Sequence, residues 1–237
     1  MSDIFLKARW ENLIMANYII DPKVLEKYLP YKTELDTWNG NCYVSLVGFL
    51  FRDTKVLGIK FPFHTEFEEV NLRFYVTHND GKQIKRGVVF ISEIVPKQMI
   101  SIVANTFYKE HYKTQPMKHH WGERDRLLFV KYLWGKKDMH HLTVFAEKEY
   151  IGMQSNSEEE FITEHFWGYS KKGAHKTIEY GVEHPRWKIH PIINYNIDVD
   201  FKLLYGDDFG MLNQMKPASV FLANGSEVIV RKGEEIN

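Results

Sequence analysis

In Glu69-Val70-Asn71-Leu72-Arg73-Phe74-Tyr75-Val76 polar and apolar residues alternate without a break. A period of two is that of a β-strand, whose side chains point alternately to its two faces. The pattern predicts a strand from Glu69 to His78, a turn at Asn79-Asp80-Gly81, and a returning partner from Arg86 to Val95. The face carrying Glu69, Asn71, Arg73 and Tyr75 has two readings. On a half-exposed sheet it faces water. On a closed sheet it lines an interior, where Arg73 could clamp a carboxylate and Glu69 could move a proton.

The rest of the chain supplies more strands than helices. Arg9 to Ile20 reads as a strand. Asp21-Pro22 opens a short helix, because Asp21 can accept from free amides and Pro22 has no amide to lose there; Pro30 ends it. Trp38-Asn39-Gly40-Asn41 signals a hairpin, and Cys42 to Phe51 reads as a mostly buried strand. Pro96 opens the longest expected helix, about Lys97 to Tyr112, with Ile100, Val103 and Phe107 on one stripe. Leu127 to Trp134 and His141 to Glu147 pair across Gly135-Lys136-Lys137-Asp138. The run Glu158-Glu159-Glu160 reads as a solvated loop, and Phe161 to Glu183 as a long antiparallel region. Ile197 to Tyr205 and Ala218 to Val230 close the domain, the latter turning at Asn224-Gly225. No linker, repeat or composition shift divides the chain. The expectation is a single domain over residues 1–237 in the α+β, β-rich class: one antiparallel, barrel-like sheet with a few helices, hidden edges and room for a ligand.

Composition narrows the function. Lys plus Arg and Asp plus Glu number 31 each. That balance provides no field for a phosphate backbone or an anionic lipid surface, so neither nucleic acid nor membrane is an expected partner. The longest apolar stretch, Tyr43 to Phe51, is broken by Ser45 and Gly48 and is too short to span a bilayer. Met1 to Lys7 lacks the signal-peptide pattern, which makes the cytoplasm the default location. Cys42 is the single cysteine, so no internal disulfide forms. His119-His120 and His140-His141 are adjacent pairs that a strand would point to opposite faces, and no His-Glu-x-x-His is present; no metal is expected. No phosphate loop, Gly-x-Gly-x-x-Gly or Gly-x-Ser-x-Gly elbow occurs, and no cofactor is expected.

A second cluster is Glu164-His165-Phe166-Trp167-Gly168-Tyr169, followed by Glu179-Tyr180 and His184-Pro185-Arg186-Trp187. His165, Trp167 and Tyr169 would share one strand face, either as a ligand wall or as ordinary cross-strand packing. Lysine pairs matter because a second ammonium nearby frees an amine for Schiff-base chemistry. The pairs here, Lys136-Lys137 and Lys171-Lys172, fall in turns and read as solvated.

These blocks, with Ala8-Arg9-Trp10-Glu11-Asn12-Leu13, Asp21-Pro22, Cys42 to Phe49 and Ala218 to Val230, resemble the bacterial YqjF-like family over nearly the whole chain. That family has no known function and is distantly similar to acetoacetate decarboxylase. The resemblance implies an acetoacetate-decarboxylase-like barrel enclosing a pocket, which in the decarboxylase holds a Schiff-base lysine. Tyr18 and Asp21-Pro22 match the decarboxylase pattern, but Ile19 stands where an arginine belongs. Glu69 matches its strand glutamate. The stretch from Lys109 to Lys118 has lysines but no adjacent pair.

Three readings follow. The first is a small-molecule pocket protein with an unidentified organic ligand, a carboxylate being one candidate, held by Asn71, Arg73, Tyr75, His165, Trp167 and Tyr169. The second is a Schiff-base lyase or decarboxylase acting on a keto acid, with Lys113 as amine and Glu69 as proton-transfer group. The third is a non-catalytic sensor or an assembly protein whose aromatic surface packs against a partner, a homo-oligomer burying Trp167 and Trp187 being the form that would favour it.

Overall fold

The structure, a computed structural model, describes residues 3–98, 111–136 and 139–237. The alternating segment is the centre of β4 (Phe67–Asn79). It lies between β3 (Cys42–Val56) and β5 (Ile84–Val95), both antiparallel to it. Beyond β3 come β1 (Ile4–Ile20) and then β15 (Ser219–Arg231). Beyond β5 come β11 (Trp167–Gly173) and β12 (Lys176–Glu183). β12 also meets β15 through Val182↔Val230 and Glu183↔Ile229, so the path β15-β1-β3-β4-β5-β11-β12 returns to its start. Short strands extend this sheet: β2 (Glu34–Leu35), β6 (Tyr112–Thr114), β10 (Ile151–Gly152), β13 (Lys188–His190) and β16 (Glu234–Ile236). A separate antiparallel sheet holds β7 (Met117–Arg124), β8 (Leu127–Trp134), β9 (His140–Ala146) and β14 (Ile192–Asp198) in the order β14-β9-β8-β7.

The sheet is mixed rather than purely antiparallel. β11 and β6 both run parallel to β5, because each is reached by a long connection instead of a hairpin. The helix expected over Lys97 to Tyr112 lies outside the described residues, apart from its two ends; Tyr112 itself begins β6. Among the described residues no helix is long and apolar enough to cross a membrane.

Two buried clusters explain the apolar runs. Val70, Leu72, Phe74 and Val76 pack with Tyr132, Trp134, Leu142 and Val144 of the second sheet. Leu13 and Met15 of β1, Val47, Phe49 and Phe51 of β3, and Tyr75 on the opposite face of β4 belong to the other cluster. Strands buried on both faces read as continuous hydrophobic runs, which is why Cys42 to Phe51 lacks a clear period.

Several local expectations are corrected. Glu158-Glu159-Glu160 is the first turn of a helix, α2 (Glu158–Thr163), with α1 (Pro22–Leu25) preceding it in the chain. Ser157 caps α2 by accepting from the Glu160 amide at 3.2 Å, and three acidic residues there suit the positive end of the helix. The antiparallel region therefore begins at Trp167 rather than Phe161. Ile197 to Tyr205 is divided between β14 and α3 (Phe201–Tyr205), because Asp200 caps the latter through the Leu203 amide. At Asn224-Gly225 the chain does not reverse. Gly225 has φ +79 within a continuous β15, and a Cβ there would lie 2.0 Å from the Trp10 carbonyl oxygen. Lys171 and Lys172 lie on β11, beside the turn rather than in it. Ser157→Ala is expected to cost about 1 kcal/mol of stability in urea unfolding, the typical value of a lost cap.

Candidate functional site

The face of β4 opposite the Val70–Val76 core borders a cavity of about 370 Å³. Most of its wall is aromatic or aliphatic: Trp10, Phe49, Phe51 and Phe67 from β1, β3 and β4, and Tyr180 and Trp187 from and after β12. The connection between β3 and β4 adds Leu57, Phe61 and His64. Polar groups gather at one side, where Glu69, Asn71 and Arg73 of β4 meet Glu93 of β5 and Tyr112 of β6. This follows from register. Asn71 is opposite Glu93, and Glu93 is opposite Tyr112 in the parallel pair.

Glu69 is 3% exposed. One carboxylate oxygen accepts from Asn71 Nδ2 at 2.9 Å and the other from Tyr112 Oη at 3.3 Å. Burial pushes its pKa up to about 7, and the bonds from Asn71 and Tyr112 and the charge of Arg73 only partly oppose that rise. Tyr112 is raised well above the usual phenol value by burial and by the neighbouring Glu69 and Glu93.

Arg73 is anchored through one of its nitrogens and leaves another without a partner among the described residues. A terminal guanidinium nitrogen donates to the Ile162 carbonyl of α2 at 3.3 Å, and the group lies 5.7 Å from the Tyr75 ring centre. Its Nε has no hydrogen-bond partner among the described residues.

His165 precedes β11, between the rings of Tyr75 at 4.8 Å and Phe161 at 5.2 Å. Burial lowers its pKa to about 4, despite the bond to Asp36. At neutral pH it is therefore uncharged. Its Nε2–H donates to Asp36 Oδ2 at 3.1 Å, which leaves Nδ1 as an acceptor with no partner among the described residues. Burial pushes Asp36 up, but the bonds from His165 and from Arg86 Nε (2.7 Å) outweigh it, and Asp36 titrates below its usual value.

The structure thus brings Glu69, Asn71, Arg73 and His165 to one cavity, and places four other candidates elsewhere. Tyr75 Oη bonds Ser45 Oγ at 2.6 Å, in a chain that continues through Asn17 and Ser219 to Glu158. Tyr169 donates to Glu179 at 2.9 Å and packs in the core shared with the second sheet. Trp167 lies under Lys85 Nζ, 4.1 Å from the ring centre. Lys113 points away from the cavity: its Nζ donates to the Leu204 carbonyl at 2.6 Å, and burial lowers its pKa. Successive strand residues face opposite sides, so having Tyr112 in the cavity sends Lys113 out of it. Among the described residues no lysine lines the cavity. Sequence reading missed Glu93 and Tyr112. A lone carboxylate in Val88-Val89-Phe90-Ile91-Ser92-Glu93-Ile94-Val95 was the available signal.

Known proteins resemble the chain in sequence and in fold. The model of DUF2071, described as an uncharacterized conserved protein, matches residues 7–227. Uncharacterized protein YqjF of Bacillus subtilis is 28% identical over 114 residues, which is 48% of this chain and 46% of YqjF. The alignment thus spans about half of that curated relative. Acetoacetate decarboxylase from Legionella pneumophila superposes with a TM-score of 0.66 at 12% identity, covering 98% of this chain and 87% of that one. The enduracididine biosynthesis enzyme MppR, complexed with pyruvate, superposes with a TM-score of 0.67 at 9% identity, covering 100% and 91%. At these identities the two structures speak for the fold alone.

Proposed function

The chain belongs to the DUF2071 family of uncharacterized conserved proteins, and from the geometry of its cavity we propose that it binds a small organic carboxylate with an apolar or aromatic body. One observation carries this reading. Asn71 Oδ1, Arg73 Nε and His165 Nδ1 are buried around the polar side of an apolar cavity, each without a partner among the described residues. An unsatisfied buried polar atom costs about 1–3 kcal/mol, so a ligand that supplies partners recovers it. Arg73 Nε is a donor and takes the carboxylate, Asn71 Oδ1 and His165 Nδ1 are acceptors and take a hydroxyl or amino group of the same molecule, and the aromatic wall takes the body. Glu69 exchanges a proton with the bound molecule near neutral pH. The fold neighbours agree in class, since one is named for acetoacetate and another was captured with pyruvate.

The Schiff-base alternative has weaker support, because Lys113 is turned to Leu204. Self-association through Trp187 is also less well supported, since that ring is 3% exposed and stacks on His184 at 4.1 Å.

Thermal-shift measurements with acetate, pyruvate and phenylpyruvate, each against its neutral amide, test the proposal. Carboxylates with a larger body should raise Tm most, because a ligand at a hundred times its Kd stabilises by about 2.7 kcal/mol. Equal shifts from acids and amides, or no shift, would sink it. Borohydride treatment with pyruvate should leave the protein mass unchanged; an adduct on any lysine would replace binding with imine chemistry.

A further inference from the structure

On its edge away from β4, strand β5 is paired at both ends and open between them. Gly87 and Val88 pair with β11, and Glu93 to Val95 pair with β6. Among the described residues no strand pairs with that edge from Val89 to Ser92. A second pocket of about 340 Å³ occupies the gap, bordered by Val89 to Ile91 and by Lys27, Lys113, Lys171, His111 and Tyr205. Phe90 borders this pocket and the main cavity alike, so the two spaces lie on either side of it.

The gap carries charge of one sign, and no carboxylate is among its lining residues. Lys113 Nζ donates once, to Leu204, and Lys171 Nζ once, to the Lys27 carbonyl at 3.2 Å; neither makes an ion pair among the described residues. An ammonium has three donors, so each retains capacity. Lys27 pairs with Asp208, which also accepts from the Tyr28 hydroxyl. Independently of these lysines, Tyr205 is 7% exposed, lines the pocket, and has no partner for its hydroxyl among the described residues. A buried hydroxyl donor and lysines with spare donors around one pocket, beside an apolar wall, are complementary to an oxyanion.

We propose that this gap is a second binding site, one that holds a phosphate group between Lys113, Lys171 and the Tyr205 hydroxyl. Lysine suits phosphate as a compact charge that needs no fixed fork geometry. The volume also leaves room for a small organic body against Tyr28 and Ile91. Burial already disfavours the charge on Lys113, and a bound anion would offset that penalty.

Calorimetric titration at neutral pH and low ionic strength, with inorganic phosphate and with phenyl phosphate, tests the site. Chloride at matched ionic strength is the control. Saturable one-to-one binding is expected, weakened about tenfold in Lys113→Gln and in Tyr205→Phe, the scale of one charge-assisted bond. Arg73→Gln, across Phe90, should leave it unchanged. Tighter binding of phenyl phosphate would identify a phosphomonoester, and equal binding free phosphate; both sustain the site. Tyr205→Phe conserves shape, and exposed Lys171→Gln provides a second charge removal should Lys113→Gln misfold. No saturable heat, an equal response to chloride, or binding lost in Arg73→Gln but kept in Lys113→Gln would overturn the proposal.

Discussion

Arg73→Met is expected to weaken binding of the best-stabilising carboxylate by between about tenfold and about 150-fold. Hydrogen bonds to charged groups contribute about 1.5–3 kcal/mol, and each 1.4 kcal/mol is tenfold in Kd. Methionine keeps much of the apolar stem, so the loss reports on the guanidinium rather than on packing. The bond to Ile162 and the position over the Tyr75 ring hold that group in place, and Nε has no partner among the described residues. Arg73→Lys should fall between wild type and Arg73→Met, because it restores charge without the planar fork. The neutral amide should bind the three proteins equally. A Kd unchanged in Arg73→Met, with unfolding still cooperative, would remove Arg73 from the site.

The pattern of β4 was legible because both of its faces are buried, one against the second sheet and one against the cavity. What the alternation could not decide was whether the polar face met water or an interior. The same residues serve either, and the choice depends on β12 meeting β15, strands far from β4 in sequence. Lys113 shows the other limit. Its neighbourhood was readable, but a one-residue difference in which side chain points inward exchanges Tyr112 for Lys113, and that is set by parallel pairing with β5. Asn224-Gly225 carries the usual hairpin signal, yet that turn needs positive φ at both central residues, and only Gly225 has it. The acidic run before Phe161 was readable as a helix start once Ser157 is taken as its cap; charge alone suggested solvent.

Two opposed titrations are expected to hide in the stability profile of the wild-type protein and to appear in single variants. Glu69 titrates near 7 in the folded chain against an ordinary 4.5, so the fold retains its proton more tightly. Its contribution is fully present below about 4.5 and is lost as pH rises through about 7. His165 is the reverse case: its folded pKa is near 4 against an ordinary 6.5, so the unfolded chain takes the proton first. Its contribution is present above about 6.5 and is lost as pH falls through about 4. Each shift corresponds to about 3 kcal/mol at 1.36 kcal/mol per unit, and over pH 4.5 to 6.5 the slopes oppose one another. Relative to wild type, Glu69→Gln should therefore gain stability as pH rises from about 4.5 to 7. His165→Gln should gain as pH falls from about 6.5 to 4. Urea unfolding across pH 4 to 8 measures both differences. Parallel profiles for wild type and both variants would mean that neither group is held in the buried state described, and the polar side of the cavity would then be open to water.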